Sequence, residues 1–271
     1  MQWDVVFLCV GRQRMLYSIV SVPKRRQPMK KQNIATIEDF RTDCEQKRER
    51  RMAVLFEHVQ NGVEFIDPES TYIDDTVTIG GGTIVYPGVL LSGSTVVGER
   101  CTIGTNTRIA DSTVGSGTEI QASHIVESEI GSECKIGPFA YLRPNSRIGD
   151  NVKIGDFVEI KNSVIGDGTK VPHLTYVGDA DLGQNINLGC GVVFVNYDGS
   201  TKHRSTVEDR AFIGCNTNLI SPVTVGEKAY VAAGSTLTKD VPAGALAVAR
   251  ARQENVLGWV EKRGLLDKKK K

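Results

Sequence analysis

The sequence predicts a mainly β protein: a parallel β-helix of six-residue repeats, preceded by one long α-helix. Three observations carry this. Aliphatic residues recur every six positions, with few slips, from Ile73 to Leu237. Glycine follows them repeatedly, as in VIG, KIG, RIG and TVG. The segment ahead of the repeats carries a capped, helix-spaced apolar pattern among many charges.

The six-residue period runs through Ile73, Ile79, Val85, Leu91, Val97, Ile103 and Ile109. It slips by one residue to Val114 and Ile120, and slips again through Ile125 and Ile130. Ile136, Leu142, Ile148, Ile154 and Ile160 continue it, then Ile165, Val171, Val177, Leu182 and Leu188. Val207, Ile213, Leu219, Val225, Val231 and Leu237 close it. A period of six fits neither the turn of a helix nor the alternation of a strand. It fits a coil of short edges, each with about four residues in strand and two in a turn. The aliphatic side chain points inward, and the glycine is expected to supply the corner conformation. Three edges make a triangular turn of about 18 residues, and residues 73–240 supply roughly nine. One turn cannot bury its inner face alone, so stacking creates the core.

Ahead of the repeats, Thr36 is placed to cap a helix, with Asp39 three residues on as a weak variant of the capping box. Ile37, Phe40, Cys44, Met52, Leu55 and Val59 recur at spacings of three, four and eight, and Gly62 is a natural stop. This predicts one charged helix within residues 36–62, with the β-helix over 63–245. Residues 1–35 show no clear pattern and are expected to be poorly ordered. Pro242 and Gly244 are expected to break the coil. Residues 246–271 then form a tail in which ENVLGWVEKR suits a short helix and the final lysines are expected to be disordered.

The chain has 271 residues and a formal net charge of +1, so no global field argues for nucleic acid. The basic runs PKRRQPMKK, QKRERR and KKKK have few aromatics between them and read as solvated faces or tails. Six cysteines, Cys9, Cys44, Cys101, Cys134, Cys190 and Cys215, are scattered without a CxxC pair. They are expected to be reduced thiols of a cytoplasmic protein, most of them filling small buried sites. VVFLCV and MLYSIV are interrupted by Asp4, Arg12 and Arg14, so neither a signal peptide nor a membrane span is expected.

After Phe194 the next aliphatic corner is Val207, thirteen residues on rather than six. Asp198-Gly199 gives the extra loop turn chemistry, and Lys202, His203 and Arg204 give it positive charge. Functional loops concentrate at such departures, although a harmless surface insertion reads the same way. Upstream, His173 lies in PHLTYVGDA. Histidine titrates near neutrality and suits proton removal; a surface histidine without a role is the alternative. Tyr176 follows closely. Asn187 lies fourteen residues on, a little under one coil, and is expected beside His173 on the adjacent turn. Arg143 and Lys161 are eighteen residues apart, so they should stack on one face. A stacked Arg–Lys pair fits a phosphate, a fork above a point charge. Pairing with Glu159 or other acids is the alternative.

These stretches resemble a known family. The segments IGPFAYLRPNSRIGDNVKIGDFVEIKNSVIGDGTKVPHLTYVGDA, INLGCGVVFVNYDGSTKHRSTV and IGCNTNLISPVTVGEKAYVAAGSTLTKDVPAGALAVARARQ are similar to the acetyltransferase half of the bifunctional GlmU family. That family joins a glucosamine-1-phosphate N-acetyltransferase to an N-acetylglucosamine-1-phosphate uridyltransferase. The LRP, HLTYVGDA and NYDG blocks, in this order and spacing, carry the likeness, which extends over about residues 60–255. It implies a left-handed β-helix, against the usual right-handed crossover preference, and a homotrimer with each site between neighbouring chains. It implies His173 as the general base for the sugar amine, Arg143 and Lys161 as holders of the sugar phosphate, and Tyr176 and Asn187 as further sugar contacts. Asn196 and Tyr197 match positions at the acetyl-CoA thioester and pantetheine arm. Cys190, Cys215, Ala233 and Arg250 fall at other acetyl-CoA positions. Cys215 stands where some members have serine, so a backbone contact would survive there and a hydroxyl contact would not. Cys190 occupies a small-residue position and is not read as a nucleophile.

The likeness has a limit. Nothing near the start matches the glycine-rich LAAGxGxRM loop that opens the family's uridyltransferase half. The 72 residues before the repeats cannot hold a nucleotide-binding domain of the usual size. A separated or truncated acetyltransferase half without uridyltransferase activity is therefore expected, with a uridyltransferase on another chain left open as a partner. Sugar phosphate and acetyl-CoA are the expected ligands, and no metal, nucleic acid or membrane partner is expected. The chemistry so implied is direct acyl transfer, with Asn196 or a backbone amide as hydrogen-bond donor to the oxyanion. Other readings stay open: a hexapeptide acetyltransferase with another acceptor, or a non-catalytic β-helix. A zinc hydratase needs about three histidine ligands, and His58, His124, His173 and His203 offer no tight pair. An ice-binding type of scaffold would show regular outward threonines, whereas the outward positions here are irregular and include Glu, Asp and Lys.

Overall fold

The computed structural model describes residues 34–265. The expectations of poor order before residue 34 and in the lysine tail lie outside the described residues. Helix α1 spans Ile37–Gln60. Thr36 Oγ1 accepts the Asp39 amide at 3.1 Å, and the Asp39 carboxylate accepts the Thr36 amide at 2.9 Å. Both halves of the capping box are thus made. Gly62, at φ +84°, ends the helix, its amide returning to the Val59 carbonyl. Leu55 is buried with Val54 packed nearby, and Arg48 and Arg51 both bind Glu69. The rest of the apolar stripe is not covered: Ile37, Phe40, Cys44, Met52 and Val59 are exposed. Their spacing supports the helix, whose main strand contact is with Tyr72–Ile73.

Beyond α1 the chain winds as a parallel β-solenoid of about ten turns. Among the described residues the first sheet has eleven strands, from Glu64–Phe65 to Leu246–Ala247. The second has ten, from Tyr72–Ile73 to Thr236–Leu237, and the third nine, from Thr78–Ile79 to Thr224–Val225. The register keeps aliphatic residues in columns: Ile136 on Ile154 on Val171, and Leu142 on Ile160 on Val177. Every aliphatic residue of the six-residue pattern is buried. Each such side chain contributes about 1.5–3 kcal/mol relative to exposure. The column, not any single coil, is the core.

The corners correct the role expected of glycine. Apart from Gly137, the described glycines that follow an aliphatic residue of the six-residue pattern do not have positive φ. They supply clearance instead. A Cβ on Gly214 would stand 2.4 Å from the Ala233 amide nitrogen of the next coil. The left-handed conformation falls on another corner residue, often asparagine, as at Asn106, Asn151, Asn185 and Asn216. A short polar side chain tolerates that conformation. Buried hydroxyls close the corners: the amides of Cys101, Cys134 and Ile186 donate to Thr83, Thr118 and Thr169 at 3.0, 3.1 and 3.1 Å.

Pro242 and Gly244 do not end the coil. Val241 bridges to Val225, and Leu246–Ala247 pairs with Tyr230–Val231. Gly244, at φ +67°, takes the left-handed place of one more corner, so the solenoid passes the expected boundary at 245. Helix α2 spans Trp259–Lys262, within ENVLGWVEKR. Cys101 and Cys134 are buried, and burial pushes both thiols up. Cys44 and Cys215 are exposed and Cys190 half-buried, so fewer thiols are buried than expected; Cys9 lies outside the described residues. No described helix is long and apolar enough to cross a membrane.

Candidate functional site

The strand Lys170–His173 pairs with Lys153–Asp156, which sets His173 beside Asp156. Their side chains meet, His173 Nδ1 to Asp156 Oδ1 at 2.5 Å. The hydrogen bond with His173, above all, holds the Asp156 carboxyl below its usual range, and Lys153 reinforces it. An ionised carboxylate can only accept, so a neutral imidazole bonded to it carries its proton on Nδ1 and its lone pair on Nε2. That is the tautomer a general base needs. Sequence reading passed over Asp156. Its signal was a seventeen-residue step to His173, one coil of this stretch. The same step corrects Asn187. It pairs with Lys170, three residues before His173, while the His173 carbonyl accepts the Gly191 amide. A spacing of fourteen falls three short of the coil.

After His173 the chain turns through Leu174 into the second sheet at Tyr176–Gly178. Later coils put Cys190, Cys215 and Ala233 at this same corner. The Asn216 amide donates to the Cys190 carbonyl and the Gly234 amide to the Cys215 carbonyl, each at 2.8 Å. Arg250 follows beside Gly234. Four residues distant in sequence therefore form one line along the solenoid, starting one coil from His173. Its three steps of ~4.8 Å span roughly 14 Å. On the other side of His173 the corner carries Phe139 and Phe157, stacked with centroids 5.4 Å apart, and then Leu174. All three are more than half exposed, at φ +59°, +55° and +46°.

Arg143 and Lys161 are neighbours on the second sheet, as their spacing predicts: Leu142 pairs with Ile160. Arg143 Nη1 meets Glu159 Oε1 at 2.6 Å, so the ion-pair alternative holds for Arg143. Lys161 differs. Its contact with the Lys202 ammonium pushes its pKa down; burial and Arg143 act the same way, and Asp179 opposes them. Clustered cations are a place where an anion relieves repulsion. Lys202 comes from the long loop, and the sequence singled it out only as loop charge.

The loop explains its own KHR cluster. Arg204 forks Asp181 at 2.6 and 2.5 Å and reaches the Asn162 carbonyl at 2.8 Å. Asp198 accepts the amides of Thr201 and Ser200, and His203 Nε2 lies 2.7 Å from its other oxygen. The Thr201 amide and then His203 hold the Asp198 carboxyl well below the usual range. The Tyr197 hydroxyl donates to the Gly199 carbonyl at 2.7 Å, and its ring is exposed. Arg204 and His203 thus shape the loop, while Lys202 faces Lys161.

Asn196 is buried at the foot of the loop. Its Nδ2 donates to Asp179 Oδ2 at 2.5 Å and lies 3.4 Å from the Tyr176 hydroxyl. Its amide hydrogens are thus turned toward groups of its own chain. His173 sits at the corner between the first and second sheets, Asn196 at that between the second and third. One edge of the prism separates them within a chain. Among the described residues no three His, Cys, Asp or Glu side chains form a group able to hold a metal.

Residues 127–162 match the Hexapep family, described as bacterial transferase hexapeptide (six repeats). The "Bifunctional protein GlmU" of Alkaliphilus oremlandii is 62% identical over 226 residues, which are 83% of this chain and 49% of that protein. That of Caldanaerobacter subterraneus subsp. tengcongensis is 59% identical over 213 residues, 79% of this chain and 47% of that protein. The chain spans about half the length of the curated relatives it matches. Among solved structures, LpxA of Bacteroides fragilis 9343, a UDP-N-acetylglucosamine acyltransferase, is 18% identical at a TM-score of 0.50. It covers 68% of this chain and 71% of its own, and at that identity it speaks for the fold alone. Identity of this level over four-fifths of the chain, across a solenoid of hexapeptide coils, places the chain in the GlmU family, in its acetyltransferase half.

Proposed function

We propose that this chain transfers the acetyl group of acetyl-CoA to the amine of glucosamine 1-phosphate, giving N-acetylglucosamine 1-phosphate for UDP-N-acetylglucosamine synthesis. The observation that carries this reading is the Asp156–His173 pair, one coil from the line Cys190, Cys215, Ala233 and Arg250. A base stands where an extended thioester arm lying along that line would end. His173 Nε2 takes a proton from the amine. The amine nitrogen forms the new C–N bond at the thioester carbonyl, the C–S bond breaks, and the departing sulfur takes the proton from His173 to leave as the coenzyme A thiol. Positioning of both substrates supplies much of the rate, and the base about 10²–10⁴-fold.

The cations Arg143, Lys161 and Lys202 suit the sugar phosphate, with Tyr176 on the same sheet. Asn187, one coil past Lys170, would reach the sugar from a neighbouring chain, as would Asn196 and Tyr197 reach the thioester. A homotrimer with sites between chains fits this division. The ladder of Phe139, Phe157 and Leu174 supports it, because a bulky residue in the left-handed region costs about 1–2 kcal/mol. Three such residues stacked in the open are what a second copy of the chain would cover. Purified protein, acetyl-CoA and glucosamine 1-phosphate should release coenzyme A thiol. Glucosamine and glucosamine 6-phosphate should release far less. Equal release with all three, or none with any, would overturn the reading.

A further inference from the structure

We propose that Asp179 is a positioning residue that makes Asn196 a hydrogen-bond acceptor in the site. The inference rests on the acetyltransferase reading above and assigns Asn196 the opposite polarity to an oxyanion donor. Asp179 and Asn196 are both more than nine-tenths buried. Each Asp179 oxygen takes one amide: Oδ1 from Asn162 Nδ2 and Oδ2 from Asn196 Nδ2, both at 2.5 Å. Two NH₂ donors facing the carboxyl match its acceptor-only carboxylate form, and bonds to a carboxylate are charge-assisted. The backbone holds the group in place, because the Asp179 amide donates to the Lys161 carbonyl and Asp179 has φ +51°.

The consequence falls on Asn196. An amide has one face that donates and one that accepts. With the donating face bound to Asp179 and turned toward the Tyr176 hydroxyl, rotating the amide would set its oxygen against a carboxylate. The orientation is thus fixed by charge. Among the described residues no hydrogen bond reaches Asn196 Oδ1, and it is not among the buried atoms left unsatisfied. It is therefore not fully sealed within this buried side chain, and it is free to accept. Its complement is an N–H donor. Two substrate groups offer one: the amine of the acceptor sugar and an amide of the pantetheine arm.

The test is a set of four proteins in the thiol-release assay with acetyl-CoA and glucosamine 1-phosphate: wild type, Asp179→Asn, Asn196→Asp and the reciprocal swap of the two. Asn196→Asp sets two carboxylates face to face and should lower kcat/KM about 100-fold. Asp179→Asn frees the Asn196 amide to turn and should lower it about 10–100-fold. The swap restores one amide against one carboxylate and still presents an acceptor to the site, but no donor. It should recover at least tenfold over Asn196→Asp. A swap no better than the worse single variant, in protein that melts and assembles like wild type, overturns the proposal. So does full activity in Asp179→Asn. For protein that folds poorly, Asn196→Ala supplies the second reading: adding Asp179→Asn to it should change kcat/KM less than twofold, and multiplied losses would mean that the two residues act independently. A rise in KM confined to the sugar in Asn196→Ala identifies the amine as donor; one confined to acetyl-CoA identifies the pantetheine amide. A wild type that releases no thiol sinks the acetyltransferase reading itself, whereas an active wild type with indifferent variants sinks only this proposal.

Discussion

Replacing Asp156 with asparagine keeps the shape of the Asp156–His173 contact and removes its charge. The side chains of His173 and Asp156 are 53% and 38% exposed, so water screens much of their direct attraction. What remains is the control of tautomer and ring orientation. An amide at 156 can turn its NH₂ toward Nδ1, which drives the imidazole proton to Nε2 and removes the base. A fully buried dyad loses about 10⁴ in kcat from this change, and an outer partner of a histidine typically about 10–100-fold. The half-open setting places Asp156→Asn in the second range. Steady-state thiol release should show kcat down about 10–100-fold, with both KM values within about threefold of wild type. A kcat within twofold of wild type, in protein that assembles normally, would refute the orienting role. The acid behaviour gives a second check. The folded-state pKa of Asp156 is depressed, so its contribution to stability is complete above the unfolded carboxylate value of about 3.9 and is lost as pH falls through the lower folded value. Melting curves of wild type and Asp156→Asn should therefore differ near neutral pH and converge below about pH 4.

Other perturbations test other parts. Gly214→Ala drives a methyl group into the Ala233 backbone, 2.4 Å away, where no side chain can yield. It should cost about 1–3 kcal/mol in chemical denaturation, and unchanged stability would contradict the clearance role. Lys161→Ala removes one of the clustered cations and should raise the KM for glucosamine 1-phosphate about 10–100-fold at low salt, less at high salt, and leave that for acetyl-CoA unchanged. Phe157→Asp puts a carboxylate into the exposed aromatic ladder. Sedimentation should then find smaller assemblies than wild type, and an unchanged assembly would remove the ladder from the subunit contact.

The six-residue period made the solenoid legible because every coil repeats one demand, an aliphatic side chain at the inner face. Its fine structure was less so. Glycine after the aliphatic residue looked like a turn former, yet the need at Gly214 is clearance from the next coil, a relation between coils that a single repeat does not display. Site residues followed the same divide. Arg143 and Lys161 were found because the coil between them has the nominal eighteen residues. Asn187 was misplaced because fourteen residues fall three short of the seventeen-residue coil through His173. Asp156 and Asp179 act across coils, on His173 and Asn196, and only the register brings them there. The α1 stripe misled in another way: its spacing reports a helix, and nothing in that spacing says how much of the helix the coil covers. The roles of Cys190, Cys215, Ala233 and Arg250 came from family resemblance, and the fold adds that they form one line.

Acetyl transfer by this chain depends most directly on His173 as the base. The decisive measurement is kcat for His173→Ala with acetyl-CoA and glucosamine 1-phosphate, on protein whose assembly and melting match wild type. Loss of the proton acceptor predicts a fall of about 10²–10⁴-fold with the KM values little changed. Turnover close to wild type would contradict the account.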